Sequence, residues 1–255
     1  MIRGVIFDLG GTAIRLTRPW QDVVEESQPA LVEQLLREGV NLDAAAFAAE
    51  FHQEMECNYH NREMAFLETT TATVLRTVLS RFGVTDLAEE SVQRALARLY
   101  TKTESQWEAM PGIFNVLGEL RQMGYRLGMI SNAGDDANVQ RLLDRCSLRS
   151  YFDPILVSAA VGLRKPNPAV FLMVLQAWQI QPREAVMIGD TLAADILGAQ
   201  NAGLHQIWLT AEADTPANRA HAGAILPEAT ASSLYELPEL IARLGATEAQ
   251  LGRHA

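Results

Sequence analysis

Cysteine is scarce in this chain of 255 residues: only Cys57 and Cys146 occur. Two cysteines without metal-type spacing exclude a disulfide-stapled scaffold and suit a reducing compartment, so both are expected as buried apolar fillers and the chain as cytoplasmic. No apolar run approaches the length of a membrane span, and Val5-Ile6-Phe7 is too short and too soon interrupted to be a signal peptide. Positive charge is also in deficit. A net charge of -10 argues against nucleic acid or an anionic membrane surface as the main partner. Any anionic substrate must then be met by local cations. Lysine is rarest among these, with Lys102 and Lys165 against nineteen arginines. A lysine kept in an arginine-preferring chain raises the question of whether a compact ammonium is needed there.

A hydrophobic content of 48% is enough for a sizeable core. Gly4-Val5-Ile6-Phe7-Asp8-Leu9-Gly10-Gly11-Thr12 reads as a buried strand that ends at Asp8 and turns on two glycines. The chain is then helical for about a hundred residues. Leu31, Val32, Leu35 and Leu36 share one face, Val74, Leu75, Val78 and Leu79 another, and Val92, Ala95, Leu96 and Leu99 a third. No strand is expected between Leu16 and Ala109, and Pro111-Gly112 closes the segment. From there strand and helix alternate, with strands at Arg126 to Ile130, Pro154 to Ser158, Ala185 to Ile188, His205 to Leu209 and Ala224 to Leu226. Asn167 with Pro168, and Thr191, are expected to open helices. Such alternation predicts right-handed crossovers and an α/β fold: a three-layer, Rossmann-like parallel sheet with an inserted helical bundle. The expected division is a discontinuous core, residues 1–15 and 110–255, and a helical cap, residues 16–109.

In parallel sheets ligands bind outside the carboxyl ends of the strands. Asp8 lies at one such end, Ser131-Asn132 at a second and Gly189-Asp190 at a third, with Asp195 on the next helical turn and Lys165 in the loop after Ser158. One such residue would be an ordinary cap, but their convergence on one rim points to a site. The text Phe7-Asp8-Leu9-Gly10-Gly11-Thr12, then Ser131-Asn132, Lys165-Pro166 and Gly189-Asp190 with Asp195, resembles the haloacid dehalogenase-like hydrolase superfamily, in its branch with a helical cap after the first motif. The resemblance implies phosphoryl transfer to Asp8 and hydrolysis of the resulting aspartyl-phosphate. It makes Asp8, Lys165 and Ser131 catalytic and sets Gly11, Thr12, Ser131, Asn132 and Lys165 around the substrate. Asp8, Gly10 and Asp190 would hold metal, with Asp195 behind them.

Electrostatics agrees with that implication, since three converging carboxylates cannot all stay ionised without a cation. A small all-oxygen set with room for water and phosphate suits Mg²⁺. Members of the family usually carry a second aspartate two residues after the nucleophile, where this chain has Gly10. The backbone carbonyl is kept and the acid is lost, so general acid-base help must come from elsewhere or be missing. His52, Glu54, Tyr59 and His60 are candidate substitutes in the cap. The expected function is a Mg²⁺-dependent phosphatase acting on a small phosphorylated metabolite, as a monomer or homodimer. A 2-haloacid dehalogenase-type hydrolase and a non-catalytic binder of a phosphorylated ligand remain the alternatives. Arg15, Arg18, Trp20 and Arg62 are candidates for setting specificity.

Overall fold

The computed structural model describes residues 1–251, apart from the side chains of residues 21, 60–65 and 247–251. Six parallel strands form the central sheet: β1 (Gly4–Phe7), β4 (Arg126–Ser131), β5 (Ile155–Val157), β6 (Ala185–Gly189), β7 (His205–Leu209) and β8 (Ala229–Ala231). Their spatial order is β5-β4-β1-β6-β7-β8. The chain thus winds outwards to both sides of β1, and β1, β4 and β6 lie side by side at the point where the direction reverses. Phe7 is level with Met129 on one side and Ile188 on the other, which brings Asp8, Ser131 and Asp190 to one rim.

The side-chain alternation of β1 builds both faces of the sheet. Val5 and Phe7 pack with Ile113 and Leu117 of α5 (Ile113–Gln122), Val139 and Leu143 of α6 (Asp136–Arg145) and Ile241 of α11 (Leu237–Leu251). Ile6 points the other way, to Val170, Phe171 and Val174 of α8 (Pro168–Trp178) and Ala199 of α9 (Leu197–Ala202). These are the three layers that the strand-helix alternation predicts.

Residues between β1 and α5 form the helices α1 (Trp20–Arg37), α2 (Ala44–Ala65), α3 (Thr71–Arg81) and α4 (Glu89–Glu104). They enclose a core of their own, with Leu31, Leu35, Phe47, Leu75, Leu79 and Leu96 almost fully buried. Their chain enters and leaves through two short antiparallel strands, β2 (Ile14–Leu16) and β3 (Trp107–Ala109), paired at Leu16 and Trp107. The expectation of no strand around these stems is corrected: three residues on each side suffice to pair but carry no readable alternation. The helical segment also meets the sheet domain farther along. Leu67 and Leu163 form an antiparallel bridge, Glu68 N donates to Gly162 O (3.0 Å), and Arg164 N donates to Phe66 O (3.2 Å).

Three local expectations change. The last strand is Ala229–Ala231, not Ala224 to Leu226; Ile225 instead packs on Leu192 and Ile196. Thr191 makes no side-chain cap, because the turn after it is a π-helical turn (Leu192–Ile196) in which the Thr191 amide is met by Asp195. Cys57 is exposed, whereas Cys146 is buried as expected. Asn167 does open α8, accepting from Ala169 N at 3.0 Å with Pro168 in the first turn. Among the described residues no helix is long and apolar enough to cross a membrane.

Candidate active site

β1 carries four buried residues in a row and ends against the Gly10-Gly11 turn, so Asp8 emerges at the sheet rim with its amide still donating to Ile188 O (2.9 Å). Asp190 emerges from β6 beside it. Gly11 has φ near +80°, and a β-carbon there would lie 2.5 Å from Asp190 Oδ2. Glycine is therefore needed at position 11 both for the left-handed turn and for the close approach of that carboxylate. Thr12 Oγ1 donates to Asp190 Oδ1 at 3.4 Å.

Lys165 is brought in from its loop by Asn132. The Asn132 Oδ1 accepts from Lys165 N and its Nδ2 donates to Lys165 O, both at 2.9 Å, so one side chain fixes the lysine's backbone in two places. Lys165 Nζ then donates to Asp8 Oδ1 at 2.5 Å and to Asp195 Oδ1 at 2.6 Å, with the lysine side chain only 1% exposed. The second Asp195 oxygen accepts from Thr191 N at 3.0 Å. Asp195 is thus engaged on both oxygens and holds Lys165 in place.

Oxygens of Asp8, Asp190 and Asp195 lie within 4.8 Å of one another, all three residues buried. Burial pushes the Asp8 carboxyl up to about 6; Lys165 pulls it down and Asp195 adds to the rise. Burial likewise lifts Asp190 well above the usual carboxylate range, reinforced by the charges of Asp8 and Asp195. Burial works against the Lys165 charge, yet Asp195 and Asp8 outweigh it and hold the ammonium above the ordinary lysine range. One lysine facing three carboxylates leaves negative charge uncompensated. The donor set is hard, anionic and all oxygen, and it fits a divalent cation such as Mg²⁺.

The site opens into a cavity of about 1130 Å³ shared with the helical segment. Asp8, Gly10, Ser131, Asn132, Lys165 and Asp195 line it from the sheet rim, and Trp20, His52, Tyr59 and Trp107 line it from the other side. His52 Nδ1 lies 3.1 Å from Gln28 Nε2, and Glu54 pairs with Arg81 at 2.7 Å. Arg15 and Arg18 are taken up by Glu108 (2.8 Å) and Glu26 (2.6 Å). The side chains of His60 and Arg62 lie outside the described residues.

Two supporting groups escape the reading of the sequence. The buried Asn218, on α10 (Pro216–His221), donates to Asp190 O at 2.8 Å and to Ala213 O at 2.9 Å and accepts from Leu192 N at 2.8 Å. Trp208 Nε1 donates to the same Asp190 carbonyl at 2.8 Å. The Thr215-Pro216 pair, with Thr215 accepting from Asn218 N at 3.2 Å, is the helix-start signal that could have pointed there.

An aspartate paired with a buried lysine stands on the rim of a parallel sheet and faces a cavity shared with the inserted helices, an arrangement that suits a hydrolase. The chain belongs to the haloacid dehalogenase-like hydrolase family, whose description matches residues 2–203. It is 28% identical over 212 residues to the glyceraldehyde 3-phosphate phosphatase of Pyrococcus abyssi (strain GE5 / Orsay), covering 82% of this chain and 81% of that protein. Its fold is shared with a 2-haloacid dehalogenase from Pseudomonas syringae pv. Tomato DC3000 (TM-score 0.69, 23% identity, 95% of this chain and 99% of that one). It is also shared with a HAD phosphatase from Thermococcus onnurineus (TM-score 0.64, 22% identity, 94% and 98%).

Proposed function

We propose that this enzyme is a phosphatase that hydrolyses the phosphate monoester of a small metabolite through an aspartyl-phosphate on Asp8. The observation that carries this reading is Lys165 Nζ, 2.5 Å from Asp8 Oδ1 and 2.6 Å from Asp195 Oδ1, at the floor of the cavity. A free Asp8 oxygen attacks phosphorus, the bond to the ester oxygen breaks, and the leaving oxygen departs with the electron pair. Water then attacks the phosphorus of the aspartyl-phosphate, restoring Asp8 and releasing inorganic phosphate. Lys165 neutralises the transferring group, while the Ser131 hydroxyl holds its oxygens and Asn132 keeps the lysine's backbone in register; Gly11 and Thr12, expected around the substrate, instead turn their amides to Ile14 O (2.7 Å) and Leu9 O (3.4 Å). Asp8, Asp190 and the Gly10 carbonyl would hold Mg²⁺, which when bound supplies positive charge to the carboxylates and to the phosphoryl group. Residues 16–109 act as the cap over a core made of residues 1–15 and 110–255. The Pyrococcus relative, a glyceraldehyde 3-phosphate phosphatase, supports the substrate class.

Gly10 lacks the acid that would protonate the leaving oxygen, so kcat/KM should fall steeply as leaving-group pKa rises. The test is phosphate release from a graded series of monoesters, with Mg²⁺ and with excess chelator. Metal-stimulated release with a steep dependence is expected. Undiminished activity in chelator together with halide release from 2-haloacids would favour the dehalogenase chemistry of the Pseudomonas neighbour. Binding of phosphate esters with no release in either condition would make the chain a binder.

A further inference from the structure

A β-carbon built on Gly10 would meet Cη2 of Trp107 at 3.4 Å and Cζ3 at 3.7 Å, and nothing else within 4 Å. The space that a side chain at position 10 would enter is therefore bordered by the six-membered ring of the Trp107 indole. Trp107 is held there from two sides. Its backbone pairs with Leu16 across β2 and β3, and its ring lies against Trp20 with centroids 6.5 Å apart and planes tilted by 52°. Trp20 is 38% exposed and both rings line the cavity.

Resting on the phosphatase reading above, we infer that Trp107 and Trp20 form an aromatic subsite for the leaving group, and that the substrates are phosphate monoesters of phenols. Position 10 is the site from which a side chain two residues past the nucleophile would serve the leaving oxygen. Here the neighbour of a side chain at that position would be the six-membered ring of Trp107, whose carbons have no proton to give. Without an acid at position 10, an alkoxide is a poor leaving group, its conjugate acid being about as weak as water. A phenolate, with a parent pKa of about 10, departs far more readily unaided. The same ring that makes a phenolate stable also offers a face to two indoles, which favour tilted and offset contacts with a further aromatic ring. Leaving-group chemistry and surface chemistry thus select one class. The step balances without a further reactant: Asp8 forms the bond to phosphorus, the bond from phosphorus to the aryl oxygen breaks, and the phenolate leaves with the electron pair and takes a proton from water.

The test uses the full chain in Mg²⁺ and compares benzylphosphonate, which keeps the ring but cannot be hydrolysed, with ethylphosphonate and inorganic phosphate, by calorimetry. Benzylphosphonate should bind about tenfold more tightly than ethylphosphonate, the size of one good aromatic contact. Trp107→Ala should close that gap without changing the affinity for inorganic phosphate, and Trp107→Phe should keep most of it. Trp20→Ala gives a second reading, a partial loss, that does not depend on the stem strand staying intact. Equal affinities in the wild type, or a benzyl preference that survives both alanine variants, overturns the subsite. No release of phosphate from any ester beside an intact benzyl preference would instead overturn the phosphatase reading and leave the subsite standing.

Discussion

The carboxyl group of Asp195 occupies the place that a β-carbon on Gly189 would take: such a carbon would lie 2.2 Å from Asp195 Cγ. Gly189 is the last residue of β6, so glycine there lets Asp195 come close enough to hold Lys165. Gly189→Ala is expected to push Asp195 away and destabilise the fold by about 1–3 kcal/mol, as overpacking does. Thermal unfolding and kcat/KM should both fall. A variant with wild-type melting and wild-type kinetics would show that Asp195 has room to move.

Lys165→Arg keeps the charge and should still be damaging. The ammonium is wedged between Asp8 at 2.5 Å and Asp195 at 2.6 Å with its side chain 1% exposed, and a planar guanidinium is larger than that gap. A misplacement of about 1 Å commonly reduces rate on the order of 10²-fold, and a loss of that size in kcat/KM is expected.

Asn218→Ala removes both donors and the acceptor that tie the backbone of Asp190, Leu192 and Ala213 together. Buried groups left without partners each destabilise by about 1–3 kcal/mol, although Trp208 still donates to Asp190 O. Because Asp190 is then less well held, Mg²⁺ affinity by calorimetry should weaken along with stability. Asn218→Asp should not rescue it, since a carboxylate would face the carbonyls of Asp190 and Ala213. Loss of stability with unchanged Mg²⁺ affinity would confine Asn218 to holding the loop.

Protonation gives a fourth expectation. The Asp8 carboxyl is raised by burial from 3.8 to about 6, and Asp190 is raised in the same direction. Without a cation the folded protein therefore keeps protons that the unfolded chain loses between these values. Their contribution to stability is present at the acid end and is lost as pH rises through about 6. A cation favours the ionised pair, so Mg²⁺ should raise the melting temperature more at about pH 7.5 than at about pH 5.5. Equal increments would place the ion elsewhere.

Long, regular elements could be read directly. The alternation from Ile113 onwards and the polar residues after β1, β4 and β6 place Asp8, Ser131 and Asp190 on one rim because parallel pairing at a winding reversal leaves no other place for them. Short and long-range features could not. Ala229–Ala231 is an edge strand of three small residues, with no hydrophobic alternation to mark it. Asn218 reaches Asp190 across 28 positions of sequence, and Trp107 comes beside Gly10 only because β2 and β3 pair. Such neighbours are properties of the folded chain, and no local pattern announces them.

The contact of Leu67 with Leu163 gives the helical segment a further mooring besides β2 and β3. The line is reinforced by Glu68, whose carboxylate accepts from Ser158 Oγ at 2.6 Å, and it is made fast to Arg164, the residue next to Lys165. Backbone and side chain alike therefore fasten the helical segment at 66–68 to the loop that carries Lys165.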